Sequence, residues 1–98
     1  MSFADYAAAD ARLIILRSLA AETNGTLNST LWTKHLELFG HLRSREWVHT
    51  QLNKLVELGA IQIVAAGSVI VATITRTGLD HVERRSLIEG VARPSPGS

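Results

Sequence analysis

Arg43, Arg45, His49 and Asn53 follow one another at spacings of two, four and four residues. Four-residue steps return to one side of an α-helix, so a helix capped by Ser44 presents Arg45, His49 and Asn53 on a similar face with Arg43 just ahead of it. These side-chain types suit the edges of base pairs. An arginine fork takes guanine O6 and N7 with two hydrogen bonds, and an asparagine amide suits adenine. Thr50 stands beside them. Glu46 either accepts from cytosine N4 or repels the phosphate backbone, and Lys54 and Arg76 are candidates to neutralise phosphates. The same residue types make up any solvated helix face, and Arg45 with Glu46 and Lys54 with Glu57 leave this one nearly neutral.

Other chemistries find little material. The chain has no cysteine, which excludes disulfides and thiolate zinc sites and fits a reducing compartment. The histidines stand at 35, 41, 49 and 81, none three or four apart as helical metal ligands usually are. Asp80 and His81 are adjacent, and neighbours in a helix do not face each other. No serine lies in a nucleophile motif. Gly25, Gly40, Gly59, Gly67 and Gly78 read as turn residues at element boundaries and not as a phosphate loop. No enzyme, metal or cofactor is expected. His35 reads as bordering the core, His81 as lying on a surface helix, and Trp32 as core. Trp47 either anchors packing or lies partly exposed at an interface.

The elements that must position these residues are marked by periodicity and punctuation. Ser2 caps a helix over about residues 3–22, with Tyr6, Ala9, Leu13, Leu16 and Ala20 on one face. Phe3, Ile14, Ile15 and Leu19 widen that face beyond a single core contact, enough to meet another chain. Asn24-Gly25 ends it. Thr26 and Leu27 suit a short strand beside a later hairpin. Asn28 or Ser29 caps a second helix closed by Gly40, and residues 41–43 make a tight turn. The third helix buries Val48, Leu52 and Leu55 and stops at Gly59. Two apolar runs turned at Gly67-Ser68 form a hairpin, with Ile70, Ala72 and Ile74 inward and Val69 and Val71 outward. A last helix covers about residues 77–87. The domain spans residues 1–91, and residues 92–98 are expected to form a disordered tail.

Helix, helix, helix, two-stranded wing, helix resembles the winged helix-turn-helix superfamily, an α+β fold, over residues 3–87. The opening FADYAAADARLIILRSLA, the segment FGHLRSREWVHTQLNKLVELGAI and the ending VATITRTGLDHVERR are similar to a family of small Mu-like phage and prophage proteins. That resemblance implies the fold and a phage context, with automatic grouping among transcriptional regulators. The function expected from the helix-turn-helix geometry and the residues of the third helix is binding of double-stranded DNA, in the cytoplasm of a bacterial host. The alternative is a protein-interaction module in phage assembly or packaging.

Size and charge bound both readings. Ninety-eight residues, 46% of them apolar and 19% charged, suit one packed domain. Net charge is +1. Residues 1–42 carry three basic and four acidic side chains, and residues 43–98 carry seven and five, so the basic excess is small and falls in the half holding the third helix. The wing tip, Ala65-Ala66-Gly67-Ser68, has no charge where a DNA-contacting wing normally offers Lys or Arg. Asp5, Asp10 and Arg12 interrupt any signal-like stretch, and the charge-free run 58–75 holds two glycines and a turn, so no membrane span is expected. Homodimerisation is expected through the first helix, the C-terminal helix or the wing. Val69 and Val71 either join that patch or pack under Leu87, Ile88 and Val91.

Overall fold

A computed structural model describes residues 2–28, 34, 36, 37, 40, 41, 43–67 and 69–95. Helix α1, Phe3–Ala21, opens with a reciprocal cap. The Ser2 hydroxyl accepts from the Asp5 amide at 3.2 Å, and the Asp5 carboxylate accepts from the Ser2 amide at 3.2 Å. Ala7, Ala11, Leu13, Ile14, Ile15, Leu16 and Leu19 are all buried. The broad apolar face of α1 thus contributes to this chain's own core, with Ile14, Ile15 and Leu19 buried. Of the residues that widen it, only Phe3 stays out, 83% exposed, beside Tyr6 at 62%. Truncating a fully buried leucine such as Leu16 to alanine would cost about 2–5 kcal/mol.

Gly25 turns the chain at φ 69° into strand β1, Thr26–Asn28. Asn28 ends this strand, and the expected cap of the second helix at Asn28 or Ser29 lies at the edge of the described residues. The expected second helix lies mostly outside the described residues, as do His35 and Trp32. Lys34, Leu36 and Glu37 are helical, and Leu36 is fully buried. Its end is visible. Gly40 takes φ 91° and donates to the Glu37 carbonyl, while the His41 amide donates to the Leu36 carbonyl. That pair of bonds is a Schellman stop, and the left-handed residue it requires is the glycine.

Helix α2, Arg45–Glu57, is the third helix of the sequence reading. Ser44 caps it, accepting from the Trp47 amide at 3.1 Å. Val48, Leu52 and Leu55 are buried at the expected spacing, together with Gln51. A second Schellman stop at Gly59 and Ala60 ends it, in the same pattern as Gly40 and His41. Strands β2, Ile61–Ala66, and β3, Val69–Ile74, then form an antiparallel hairpin, and β1 adds to the far side of β3. The sheet order is β1-β3-β2. Leu27, Ile61 and Ala72 lie buried on one face, as the alternation predicts. Val69 and Val71 point to the other face yet are half-buried, and the large apolar residue left open there is Val64, 66% exposed.

Helix α3, Arg76–Val82, is shorter than expected. Thr75 caps it, accepting from the Gly78 amide while its hydroxyl donates to the Gly59 carbonyl at 2.6 Å. Arg84 ends it at φ 61°, and the Arg84 and Arg85 amides bond the His81 and Asp80 carbonyls. This is again a Schellman stop, here with an arginine in the left-handed position.

His81 is not a surface residue. It is fully buried. Its Nδ1 accepts from the Ile88 amide at 2.9 Å, so Nε2 carries the proton and donates to the Ala92 carbonyl at 2.9 Å. The segment after α3 is thereby laced to α1, where the Ala92 amide donates to the Ala9 carbonyl. Val91 joins the core and Pro94 is buried. Packing thus runs past Val91 into the expected tail, because backbone groups and a proline ring supply what apolar side chains do not. Val91 joins the core cluster that α1 and the sheet share. Arg12 binds the same segment: its Nε donates to Gln51 Oε1 at 2.9 Å and its Nη1 to the Gly90 carbonyl at 2.7 Å. Burial pulls the Arg12 pKa down, with Asp5 opposing. No helix is long and apolar enough to cross a membrane among the described residues.

Candidate nucleic-acid interface

The N-terminal end of α2 brings together two of the candidate cations. Arg43 and Arg45 are both exposed. The Arg43 guanidinium carbon lies 4.8 Å from the centroid of the Trp47 ring, a cation–π contact that limits where the fork can point. Trp47 is half-buried against the core, and its ring stacks on His41, centroids 6.2 Å apart and planes 20° apart. His41 in turn reaches α1, with Nε2 2.7 Å from the Asp10 carboxylate. An aromatic anchor, an imidazole and a carboxylate thus fix the turn before α2 against α1. Arg45 has no ion-pair partner among the described residues.

Further along α2 the expected stripe changes character. Glu46 and Thr50 are exposed, and the Thr50 hydroxyl donates to the Glu46 carbonyl at 3.0 Å, leaving its oxygen free to accept. Asn53 is exposed. Lys54 is exposed but lies 3.7 Å from Glu57, an ion pair one turn on. His49 departs from the stripe. It is half-buried, and its Nε2 is shut from solvent with no hydrogen-bond partner among the described residues. A side chain turned inward in this way does not meet a base edge.

Arg76 sits elsewhere. Its neighbour Thr75 bonds the Ala60 carbonyl just beyond the C-terminal end of α2. A helix of 13 residues is about 20 Å long, so Arg76 and the Arg43–Arg45 pair lie at opposite ends. Arg76 is 3.6 Å from Asp80, which also holds Arg85 at 3.1 Å. The hydrogen bond to Asp80 raises the Arg85 pKa, with Glu83 adding to it, and Asp80 is the shared ion-pair partner of both arginines.

A groove of about 420 Å³ runs along α1, with Asp10, Arg17 and Glu22 on its rim. No group of three or more His, Cys, Asp or Glu side chains converges to hold a metal among the described residues.

The sequence is 36% identical over 87 residues to the uncharacterized protein gp26 of Escherichia phage Mu, across 89% of this chain and 90% of that protein. The chain belongs to the gp26 family of Mu-like phage proteins. No protein-family model matches it, and no solved structure does.

In this gp26-family chain the structure leaves Arg45, Glu46, Thr50, Asn53 and Lys54 exposed on α2 with Arg43 exposed just ahead of it, whereas His49, expected beside them, turns inward. Sequence reasoning missed the role of Trp47 as the seat of Arg43 and the tie between His41 and Asp10. The only signal for the first was the spacing of four between Arg43 and Trp47. The second joins residues 31 apart and leaves no local trace.

Proposed function

We propose that this phage protein is a winged helix-turn-helix domain that binds duplex DNA through α2 in the cytoplasm of the bacterial host. The observation that carries the reading is the pair of cations at the start of α2, Arg45 without an ion-pair partner among the described residues and Arg43 seated on Trp47. In helix-turn-helix proteins the N-terminal residues of the helix that enters the major groove meet base edges. Ser44, as cap, also leaves backbone N–H groups at that end, which favour a phosphate. The topology supports the reading: a helix closed at Gly40, a three-residue turn, α2, and a hairpin whose second strand is central in a sheet of order β1-β3-β2. Arg43, Arg45, Asn53 and Thr50 would face bases or phosphates, with Lys54 on a phosphate. The uncharged wing would add no phosphate contact, and Arg76 would contribute only where the duplex extends past the C-terminal end of α2.

The test is fluorescence anisotropy of a labelled random-sequence duplex at about 50 and 200 mM salt. With only two to four phosphates neutralised, affinity falls on the order of 10- to 100-fold between the two conditions. No binding at low salt up to about 100 μM protein would reject the DNA reading, since even non-specific binders register there.

A second reading rests on Phe3 and Tyr6, which stand exposed on successive turns of α1. A module that binds protein in phage assembly or packaging would use such aromatics at its contact. On that reading the anisotropy titration is flat, and a photoreactive group at position 6 crosslinks to another phage protein.

A further inference from the structure

Among the described residues, strand β2 is an open edge. The order β1-β3-β2 leaves β1 and β2 outermost. β1 has three residues, too few to template another strand, whereas β2 has six. The phase of the ladder identifies its free groups. The Thr75 amide bonds the Ala60 carbonyl, so bonded pairs with β3 recur at 62, 64 and 66, and the backbone groups of Ile61, Ile63 and Ala65 face away from β3. The Ile74 amide, bonded to the Gly25 carbonyl on the other side of β3, fits the same phase.

Sheets normally blunt such an edge with a lysine, a proline, a bulge or a covering element. Residues 58–75 contain no charged residue and no proline. The register from Ile61↔Ile74 to Ala66↔Val69 runs without a bulge. Val64 stands 66% exposed on the outer face.

We infer that two copies of this chain pair antiparallel through their β2 edges, about a two-fold axis at Ile63. Two conditions select that register. Opposed residues must share a face of the continuous sheet, and the bonded pairs must draw on the free groups of 61, 63 and 65. Centring on Ile63 meets both, with Ile63 opposite Ile63, Ile61 opposite Ala65, and Val64 opposite Gln62 of the second copy. Charge selects the occupant. Identical strands facing each other repel wherever they carry charge, and this hairpin carries none. A six-residue edge buries less than the roughly 1,000 Å² of a stable interface, so association is weak, with Kd on the order of 10 μM to 1 mM. The pairing leaves α2 uninvolved and stands whether or not α2 binds DNA.

Sedimentation velocity of the full chain from about 5 μM to about 1 mM tests it across that affinity range. The expected mass rises from 10.7 kDa towards twice that value. Hydrogen exchange at the Ile63 and Ala65 amides slows as concentration rises. Val64→Lys and Ala65→Pro both alter exposed positions, and the second removes only a donor unused within the monomer. Each weakens association at least about tenfold while the melting temperature of dilute protein holds. A mass of 10.7 kDa at every concentration overturns the inference. So does a dimer indifferent to both substitutions, or one whose Ile63 and Ala65 amides exchange at the same rate at every concentration.

Discussion

Gly78 lies directly against the carbonyl oxygen of Ala60: a Cβ at position 78 would come within 2.3 Å of it. That oxygen already accepts the Thr75 amide where β3 passes into α3, so it cannot withdraw without opening the junction. Gly78 is therefore inside a helix for reasons of close approach, and not as the boundary turn its sequence position suggests. Alanine there would gain up to about 1 kcal/mol in helix propensity but overpack a backbone contact. The expected net loss for Gly78→Ala is about 1–3 kcal/mol, or a fall of roughly 4–20 °C in melting temperature for a domain of this size. Thermal denaturation followed by circular dichroism decides, and an unchanged or raised midpoint would show that the junction yields.

His81 holds two backbone groups of the C-terminal segment in a site without solvent. His81→Ala strands the Ile88 amide and the Ala92 carbonyl and leaves a cavity, at a cost of about 2–4 kcal/mol. The loss should be local before it is global. Amide exchange at Ile88 and Ala92 should accelerate ahead of exchange in β3. If those amides keep their protection, the imidazole is packing filler and not a tie.

For DNA binding, Arg45 and Trp47 separate two effects. Arg45→Ala is expected to lose about 1–3 kcal/mol of discrimination at one base pair, whereas equal weakening on every sequence makes Arg45 a phosphate contact. Trp47→Leu keeps an apolar anchor but frees Arg43. It should weaken binding several-fold with the salt dependence little changed, because no charge is lost. Parallel titrations of the three proteins against a duplex panel read both.

Asp5 supplies a pH dependence. The Ser2 amide, then the Ser2 hydroxyl, hold its carboxyl below the usual carboxylate range, with a small contribution from Arg12 and burial opposing. A depressed folded-state pKa means that stability from this cap is present above the unfolded-state pKa and is lost as pH falls through the folded-state value. Wild type should therefore exceed Asp5→Asn in melting temperature near neutral pH, and the two should converge in acid. Parallel curves down to about pH 2 would exclude the capping carboxylate as the cause.

Local signals carried most of the architecture. Gly40 and Gly59 each occupy a left-handed stop, and Ser2 and Ser44 each cap the helix they precede, so these boundaries could be read from a few neighbouring residues. The inward face of β3 followed from alternation alone. What escaped were contacts between distant residues. Ile14, Ile15 and Leu19 looked surplus on α1 because their cover comes from elements far along the chain. His81 resembled a surface histidine because its partners lie in a segment with no periodicity. The site was legible as a set of residue types on α2. The inward turn of His49 and the seat of Arg43 depend on neighbouring elements, which spacing does not reveal.

The lacing of residues 88–92 onto α1 bears on how the chain is made. The Ala9 carbonyl waits for the Ala92 amide, and Arg12 waits for Gly90. The amide that meets the Ala9 carbonyl lies 83 residues later and the carbonyl that meets Arg12 lies 78 residues later, so this side of α1 lacks that cover while the residues between are translated. A nascent chain in that interval is exposed to chaperones and to aggregation, and a stop codon just before Gly90 would remove both the carbonyl that Arg12 binds and the amide that the Ala9 carbonyl accepts.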